Sequence, residues 1–257
     1  MAWRRFGWAW NQLGEDNALG AILTRDGQVA AWNLEEFLAT GHTDVARFVA
    51  DLSRVAPSAP RTSAMDFGCG VGRITRALAE HFGHVTGVDV APSMIARARA
   101  LHAACTNCTF VLNRSPHLRA FPDGSFAVVY CRLVLQHIKP SIVRGYIPEL
   151  VRVLEPGGVL MFQLPERIGV DEREAFENAE VVGTLKRLLP HPLVVAWRRL
   201  KFSLIVPTRD AQIEMYGLPK EEVLRIIADA GGRVLDVLPD HSHGYQDVES
   251  HEFWVTR

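Results

Sequence analysis

At 257 residues and 48% hydrophobic, the chain is long enough to bury one sizeable core. Its 28 Lys and Arg against 29 Asp and Glu leave a formal net charge of −1, which lacks the basic surplus of a phosphate-backbone binder. Its four cysteines, Cys69, Cys105, Cys108 and Cys131, are too few and too unevenly spaced for a disulfide framework, and no apolar run approaches the ~20 residues of a membrane span.

The opening Met1-Ala2-Trp3-Arg4-Arg5-Phe6 contains a twin arginine. The residues that follow, Asn11-Gln12-Leu13-Gly14-Glu15-Asp16-Asn17, hold no apolar h-region, so export is not expected and a cytoplasmic location is. Trp3, Trp8, Trp10 and Trp32 fall in the first 32 residues. A helix is predicted from Asn33, which can cap it, with Glu36 three residues on as in a capping box. A second fits Asp44 to Val55, with Val45, Phe48, Val49, Leu52 and Val55 on one face. Ala56-Pro57-Ser58-Ala59-Pro60 reads as a linker.

From Ser63 strands and helices alternate. Strands are predicted at 64–67, 84–88, 108–112, 126–131 and 158–163, and helices at 73–81, 93–104 and 141–154. Pro156-Gly157-Gly158 stops the third of these helices. Residues 165–217 break the rhythm with two helical stretches, 171–189 and 193–202. It resumes with a helix near Pro219, ended by Gly231-Gly232, then strands at 233–238 and 252–256. This order predicts an α/β fold, a doubly wound and mostly parallel sheet with right-handed crossovers. An N-terminal helical cover (1–63) precedes the domain at 64–257, which carries a helical insertion at about 165–217.

Asp66-Phe67-Gly68-Cys69-Gly70-Val71-Gly72 follows a strand and opens a helix. Glycines there let the chain turn tightly and let a ligand approach the main chain at a helix N-terminus. Asp89 ends the next strand, where a carboxylate can accept hydrogen bonds from both hydroxyls of a ribose. The spacing is G-x-G-x-G; a dinucleotide loop would put its third glycine at position 73, which is Arg73.

That loop resembles the first motif of the class I S-adenosylmethionine-dependent methyltransferases of the small-molecule type. The resemblance continues through Gly87-Val88-Asp89-Val90-Ala91-Pro92-Ser93-Met94, Phe121-Pro122-Asp123-Gly124-Ser125-Phe126, Leu135-Gln136-His137-Ile138 and Leu150-Val151-Arg152-Val153-Leu154-Glu155-Pro156-Gly157-Gly158. It implies a seven-stranded Rossmann-like sheet and S-adenosyl-L-methionine as cofactor. By that resemblance Gly68, Gly70 and Gly72 pass under the cofactor's methionine and ribose, and Asp66 anchors its amino group. Asp89 holds the ribose, Val90 and Met94 border the adenine, and Cys131 offers its carbonyl near the sulfonium. Packing alone would also account for Met94 and Cys131. Related sequences carry an acid where this one has Arg114, so Asn113 or Ser115 is expected to meet the adenine. They also read Phe-Asp where this one has Phe126-Ala127.

Methyl transfer asks mainly for aligned and dry reactants, although a hydroxyl or amine acceptor also needs a base. The candidates are His137, His241, His243, Tyr216 and Tyr245. His137 follows the fourth strand at the ligand edge of the sheet, where it serves either as a base or as a brace for the turn. His241 and His243 fall on a long loop. His102, Cys105 and Cys108 have metal-ligand spacing but no fourth ligand, so no metal is expected. The tryptophans and residues 165–217 are candidates for a lid. Trp197-Arg198-Arg199-Leu200-Lys201 reads as a solvated basic face ahead of an anionic contact.

The expected function is methyl transfer to an oxygen or nitrogen of a small molecule, with neither nucleic acid nor membrane insertion involved. The alternatives are a methyltransferase acting on protein or RNA, a noncatalytic cofactor-binding protein, and a dehydrogenase. Oligomeric state is open at this level.

Overall fold

The computed structural model describes residues 2–25, 28–29, 31–168, 215–240 and 248–257. The expected insertion helices, the basic stretch from Trp197, and His241, His243 and Tyr245 therefore lie outside the described residues. The described residues within 1–167 and 215–257 cluster as one compact unit.

Helix α1 (Ala2–Ile22) is broken at Asn17, whose φ of −151° and ψ of 78° are not helical. The Asn17 side chain accepts the Gly20 amide at 3.1 Å and so starts the second piece. A two-residue ribbon follows, Thr24–Arg25 against Gln28–Val29. Helix α2 (Leu34–Val55) is capped by Asn33, which accepts the Glu35 amide at 2.8 Å. Two helices were expected across this span and one is found. Gly41, inside the helix, is a packing residue: a Cβ built there would meet the Arg73 carbonyl oxygen at 2.6 Å. Its missing side chain lets α2 lie against the start of the next helix.

The remaining elements are β1 (Ser63–Phe67), α3 (Arg73–Leu78), β2 (His84–Asp89), α4 (Pro92–Leu101), β3 (Cys108–Leu112), β4 (Phe126–Cys131), α5 (Pro140–Arg152), β5 (Leu154–Ile168), α6 (Lys220–Asp229), β6 (Arg233–Asp240) and β7 (Val248–Thr256). They build one seven-stranded sheet of order β3-β2-β1-β4-β5-β7-β6. The pairs β1–β2, β2–β3, β1–β4 and β4–β5 are parallel, and β6–β7 is antiparallel. Strand order reverses between β1 and β4, which makes their C-terminal ends a switch point of the kind that holds ligands in open α/β sheets.

Strand alternation divides the core between the two faces. On β4, Val128 and Tyr130 meet Phe48 and Leu52 of α2 and Leu78 of α3. Val129 and Cys131 face Ile147 and Leu150 of α5 and Ile227 of α6. Each fully buried Leu, Ile or Phe in these layers contributes about 1.5–3 kcal/mol. Strand β5 begins four residues earlier than expected. Leu154 pairs with Phe126, and the register then shifts before Val159 pairs with Val128, so Pro156-Gly157 is a bulge inside the strand.

Cys105 and Cys108 are disulfide-bonded in the turn between α4 and β3, with Cα atoms 5.5 Å apart. A disulfide framework was not expected, and this single bond was not foreseen; it bears on the metal spacing as well. The two sulfurs are bonded to each other, and the His102 ring is held by the Val71 carbonyl at 3.0 Å. Among the described residues no helix is long and apolar enough to cross a membrane.

Candidate cofactor and acceptor site

The loop after β1 is pinned to β2 by main-chain bonds. The amides of Gly68 and Cys69 both donate to the Val88 carbonyl, at 2.7 and 3.0 Å. Gly68, Gly70 and Gly72 take φ of 80°, 53° and 85°, the left-handed region that favours glycine. Asp89, at the end of β2, accepts the Gly70 amide at 2.9 Å on one oxygen and the Ala91 amide at 2.8 Å on the other. Each carboxylate oxygen can accept a second bond, so the group retains capacity toward a diol. Burial raises the Asp89 pKa, and the backbone amides of Ala91, Gly70 and Val90 oppose it.

Asp66, on β1, is 3% exposed and accepts the Thr75 hydroxyl at 2.6 Å. Burial pushes its carboxyl up to about 6, against the pull of Thr75 and Arg73. A buried carboxylate beside a cleft is well matched to a cationic ligand group, which would restore full ionisation.

Asp66, Gly68, Gly70, Asp89, Val90, Met94 and His137 line one cleft. The sequence reading placed all seven at the site. Gly72 and Cys131 do not line it among the described residues. Gly72 instead turns the chain into α3, and Cys131 is fully buried in the sheet while its neighbour Arg132 faces the cleft. Of the two residues expected to meet the adenine, Asn113 lines the cleft and Ser115 does not. The Asn113 side chain closes its own loop, accepting the Ser115 amide at 3.2 Å and donating to the His117 carbonyl at 3.1 Å. Ser115 is engaged elsewhere, through its carbonyl to the Tyr146 hydroxyl at 2.6 Å. Arg114 is exposed.

The sequence reading did not assign the other walls. Phe6, Trp10 and Ile22 of α1 line the cleft. Helix α1 is held on α4 by Ser93, whose amide and hydroxyl donate to the Asn11 side chain and carbonyl at 2.9 and 2.8 Å. Trp10 packs on the His137 ring with centroids 5.4 Å apart. The run of early tryptophans signalled a cover but not which ring would meet the cleft.

His137 sits at the end of a 3-10 turn, Leu135–His137, and its Nε2 is 3.1 Å from the Gln136 amide nitrogen. The amide directions follow from the backbone. The Leu133 amide donates to Gln163 Oε1 at 3.2 Å, which leaves Gln163 Nε2 to donate to Gln136 Oε1 at 3.1 Å and to Ser250 Oγ at 2.6 Å. Gln136 then presents its NH2 to His137, so the neutral ring carries its proton on Nδ1. Leu133 has φ 59°, strained for a branched side chain, beside the cleft. The Tyr216 amide donates to the Gln136 carbonyl at 2.6 Å and fixes the same turn.

Arg132, with a side chain 7% exposed, is surrounded by acids. It reaches Asp240 at 3.0 Å, Glu252 at 3.4 Å and Asp44 at 3.6 Å. Arg73 bonds Asp44 at 2.6 Å, and Arg47 pairs with Glu252. The network ties α2, α3, β6 and β7 to the end of β4. Its partners are too far apart in sequence for spacing to reveal them.

The site thus offers a carboxylate for a cationic group, a second carboxylate for a diol, and an apolar wall of Val90 and Met94 for a flat ring. Those are the recognisable parts of S-adenosylmethionine, and the residues present fit it.

The family of methyltransferase domains matches residues 64–158. The chain is 37% identical over 103 residues to a 2-methyl-6-phytyl-1,4-hydroquinone methyltransferase of Synechocystis sp., covering 40% of this chain and 31% of that one. It is 34% identical over 150 residues to a trans-aconitate 2-methyltransferase of Methylobacterium radiotolerans, covering 56% and 53%. The chain thus spans from about a third to about half of the length of these curated relatives. A crystal structure of magnesium protoporphyrin IX methyltransferase from Synechocystis, with S-adenosylhomocysteine bound, superposes with a TM-score of 0.62 at 18% identity over the whole of both chains.

Proposed function

We propose that this chain is a class I S-adenosylmethionine-dependent methyltransferase, as the match of residues 64–158 to methyltransferase domains supports, and that it transfers a methyl group from S-adenosylmethionine to an oxygen or nitrogen of a small molecule. The observation that carries the reading is the convergence of Asp66 and Asp89 on one cleft under a G-x-G-x-G loop. When bound, the cofactor supplies an electrophilic methyl group on a sulfonium.

The work of the chain is to hold and to exclude. Asp66 pairs with the cofactor's amino group, Asp89 with its ribose, and Val90, Met94 and Asn113 border its adenine. Trp10 and Phe6 keep water from the reacting groups, which strengthens every electrostatic contact inside. His137 faces the acceptor. It orients the acceptor through the ring, and it takes a hydroxyl or amine proton on Nε2 in exchange for the Gln136 bond.

The net charge of −1 supports a small-molecule acceptor over a nucleic acid. By their names, the relatives above act on a hydroquinone and on trans-aconitate. The test is incubation with methyl-labelled S-adenosylmethionine and a fractionated metabolite extract. Label is expected in a low-molecular-weight product. Label confined to protein or RNA would overturn the small-molecule reading.

A further inference from the structure

The disulfide lies outside the cleft, yet it closes the segment whose two ends support the glycine loop from behind. At the near end His102, 7% exposed, donates from Nε2 to the Val71 carbonyl at 3.0 Å. At the far end Phe110, 6% exposed, stacks on the His102 ring with centroids 5.8 Å apart at 27°. Gly72 rests on this pair. A Cβ built there would lie 2.8 Å from both His102 Cδ2 and Phe110 Cε1. The two rings therefore fill the space under the loop without slack.

The turn between them is pinned as well. The Asn107 side chain donates to the carbonyls of Ala79 and Phe82 at 2.9 and 3.2 Å, and the Cys105 amide donates to the His102 carbonyl at 2.9 Å. Burial keeps His102 below its ordinary pKa of 6.5, so the ring is neutral at pH 7. Cys105 and Cys108 are only half-buried, so a thiol can reach them. Cys69 and Cys131 are free but buried, and burial pushes both thiols up, which makes them poor nucleophiles.

We propose that the Cys105–Cys108 disulfide is a redox-modification site for a dithiol reductant, and that its opening loosens the His102–Phe110 brace and weakens cofactor binding. A thiolate of the dithiol attacks one protein sulfur, and the sulfur–sulfur bond breaks. The released cysteine thiolate takes a proton. The second thiol of the reductant then displaces the other cysteine, which is protonated in turn. The reductant leaves as its own disulfide, and two electrons and two protons have passed to Cys105 and Cys108. The open turn has more conformations available, so the bond to Val71 loses the constraint of the closed loop and rests on the Asn107, Phe110 and backbone contacts that remain. This coupling rests on reading the cleft as the cofactor site.

The test compares the oxidised protein with the same protein reduced by dithiothreitol. Alkylation followed by peptide mass analysis should add labels at Cys105 and Cys108 on reduction only. Calorimetric titration with S-adenosylhomocysteine should show about 2–10-fold weaker binding in the reduced form, the scale of one lost hydrogen bond. Hydrogen exchange at the amides of residues 72–76 should be faster in that form. A C105S/C108S double variant should bind like the reduced protein and ignore dithiothreitol; if it does not fold, the reduced protein carries the comparison. Equal affinity and equal exchange in the two forms would overturn the proposal, and so would a failure of dithiothreitol to open the bond. If neither form binds S-adenosylhomocysteine, the cofactor reading fails, and the exchange data alone decide whether the brace responds to reduction.

Discussion

Gln136 donates its side-chain amide to Nε2 of His137 at 3.1 Å, and the direction of that bond is set by the backbone of Leu133 acting through Gln163. A histidine beside the cleft is thus oriented by a buried amide relay that runs to Ser250 on β7. The ring is further walled by Trp10. If His137 takes the acceptor's proton, His137→Ala should lower turnover by roughly 10²–10⁴-fold. Affinity for S-adenosylhomocysteine should barely change, because Asp66 and Asp89 remain. Unchanged turnover with a lowered Tm would make His137 a brace for the turn.

Gln163 is fully buried and serves three partners. Gln163→Leu keeps much of the volume and leaves the Leu133 amide, Gln136 Oε1 and Ser250 Oγ without it. Chemical denaturation should show a loss of about 1–3 kcal/mol, the cost of leaving a buried polar group unpaired. Turnover should fall more than cofactor affinity does, since the relay ends on His137 and not on the cofactor carboxylates. Equal losses in both would place Gln163 in general packing.

If Asp66 pairs with the cofactor's amino group, cofactor binding is pH-dependent. The folded pKa of Asp66 is raised from 3.8 to about 6, so between those values the folded protein holds a proton that the unfolded chain has released. Its effect on folding is therefore to lower stability as pH rises from 3.8 toward 6, with no further change above. Binding runs the other way. The ionised form is the one that attracts an amino group, so affinity should fall as pH drops below about 6. Isothermal titrations at pH 5 and 7.5 check this. Asp66→Asn should abolish the dependence and weaken binding at pH 7.5 to near the acid value.

Much of this was legible in the sequence, and the failures have physical causes. The apolar runs of β1, β2 and β4 are buried on both faces and stand out plainly. Asp66, Gly68, Gly70 and Asp89 could be placed because a tight turn and a strand end demand particular residues at fixed spacing. Helix α2 was split in two because spacing cannot show that Gly41 lies against the Arg73 carbonyl inside one continuous helix. The start of β5 was missed because Pro156-Gly157 reads as a turn before the strand, whereas it is a bulge within it. Asn113 and Ser115 stood as alternatives, since spacing cannot say which of two nearby polar residues turns inward; Asn113 is the one that lines the cleft. Gln163 was invisible because a glutamine in an apolar strand gives no sign of its partners. Arg132 was missed for a related reason, as Asp44, Asp240 and Glu252 come from elements that only folding brings together.

The central claim is that the cleft between the glycine loop and Asp89 holds S-adenosylmethionine. Calorimetric titration of the wild type and Asp89→Ala with S-adenosylmethionine, alongside a nicotinamide dinucleotide, tests it most directly. The account predicts saturable binding of S-adenosylmethionine to the wild type and a loss of ~1–3 kcal/mol in the variant, the scale for hydrogen bonds to a charged group. It also predicts no binding of the dinucleotide, since Arg73 stands where the third glycine of a dinucleotide loop would be. Tight dinucleotide binding, or equal S-adenosylmethionine affinity in the two proteins, would contradict it.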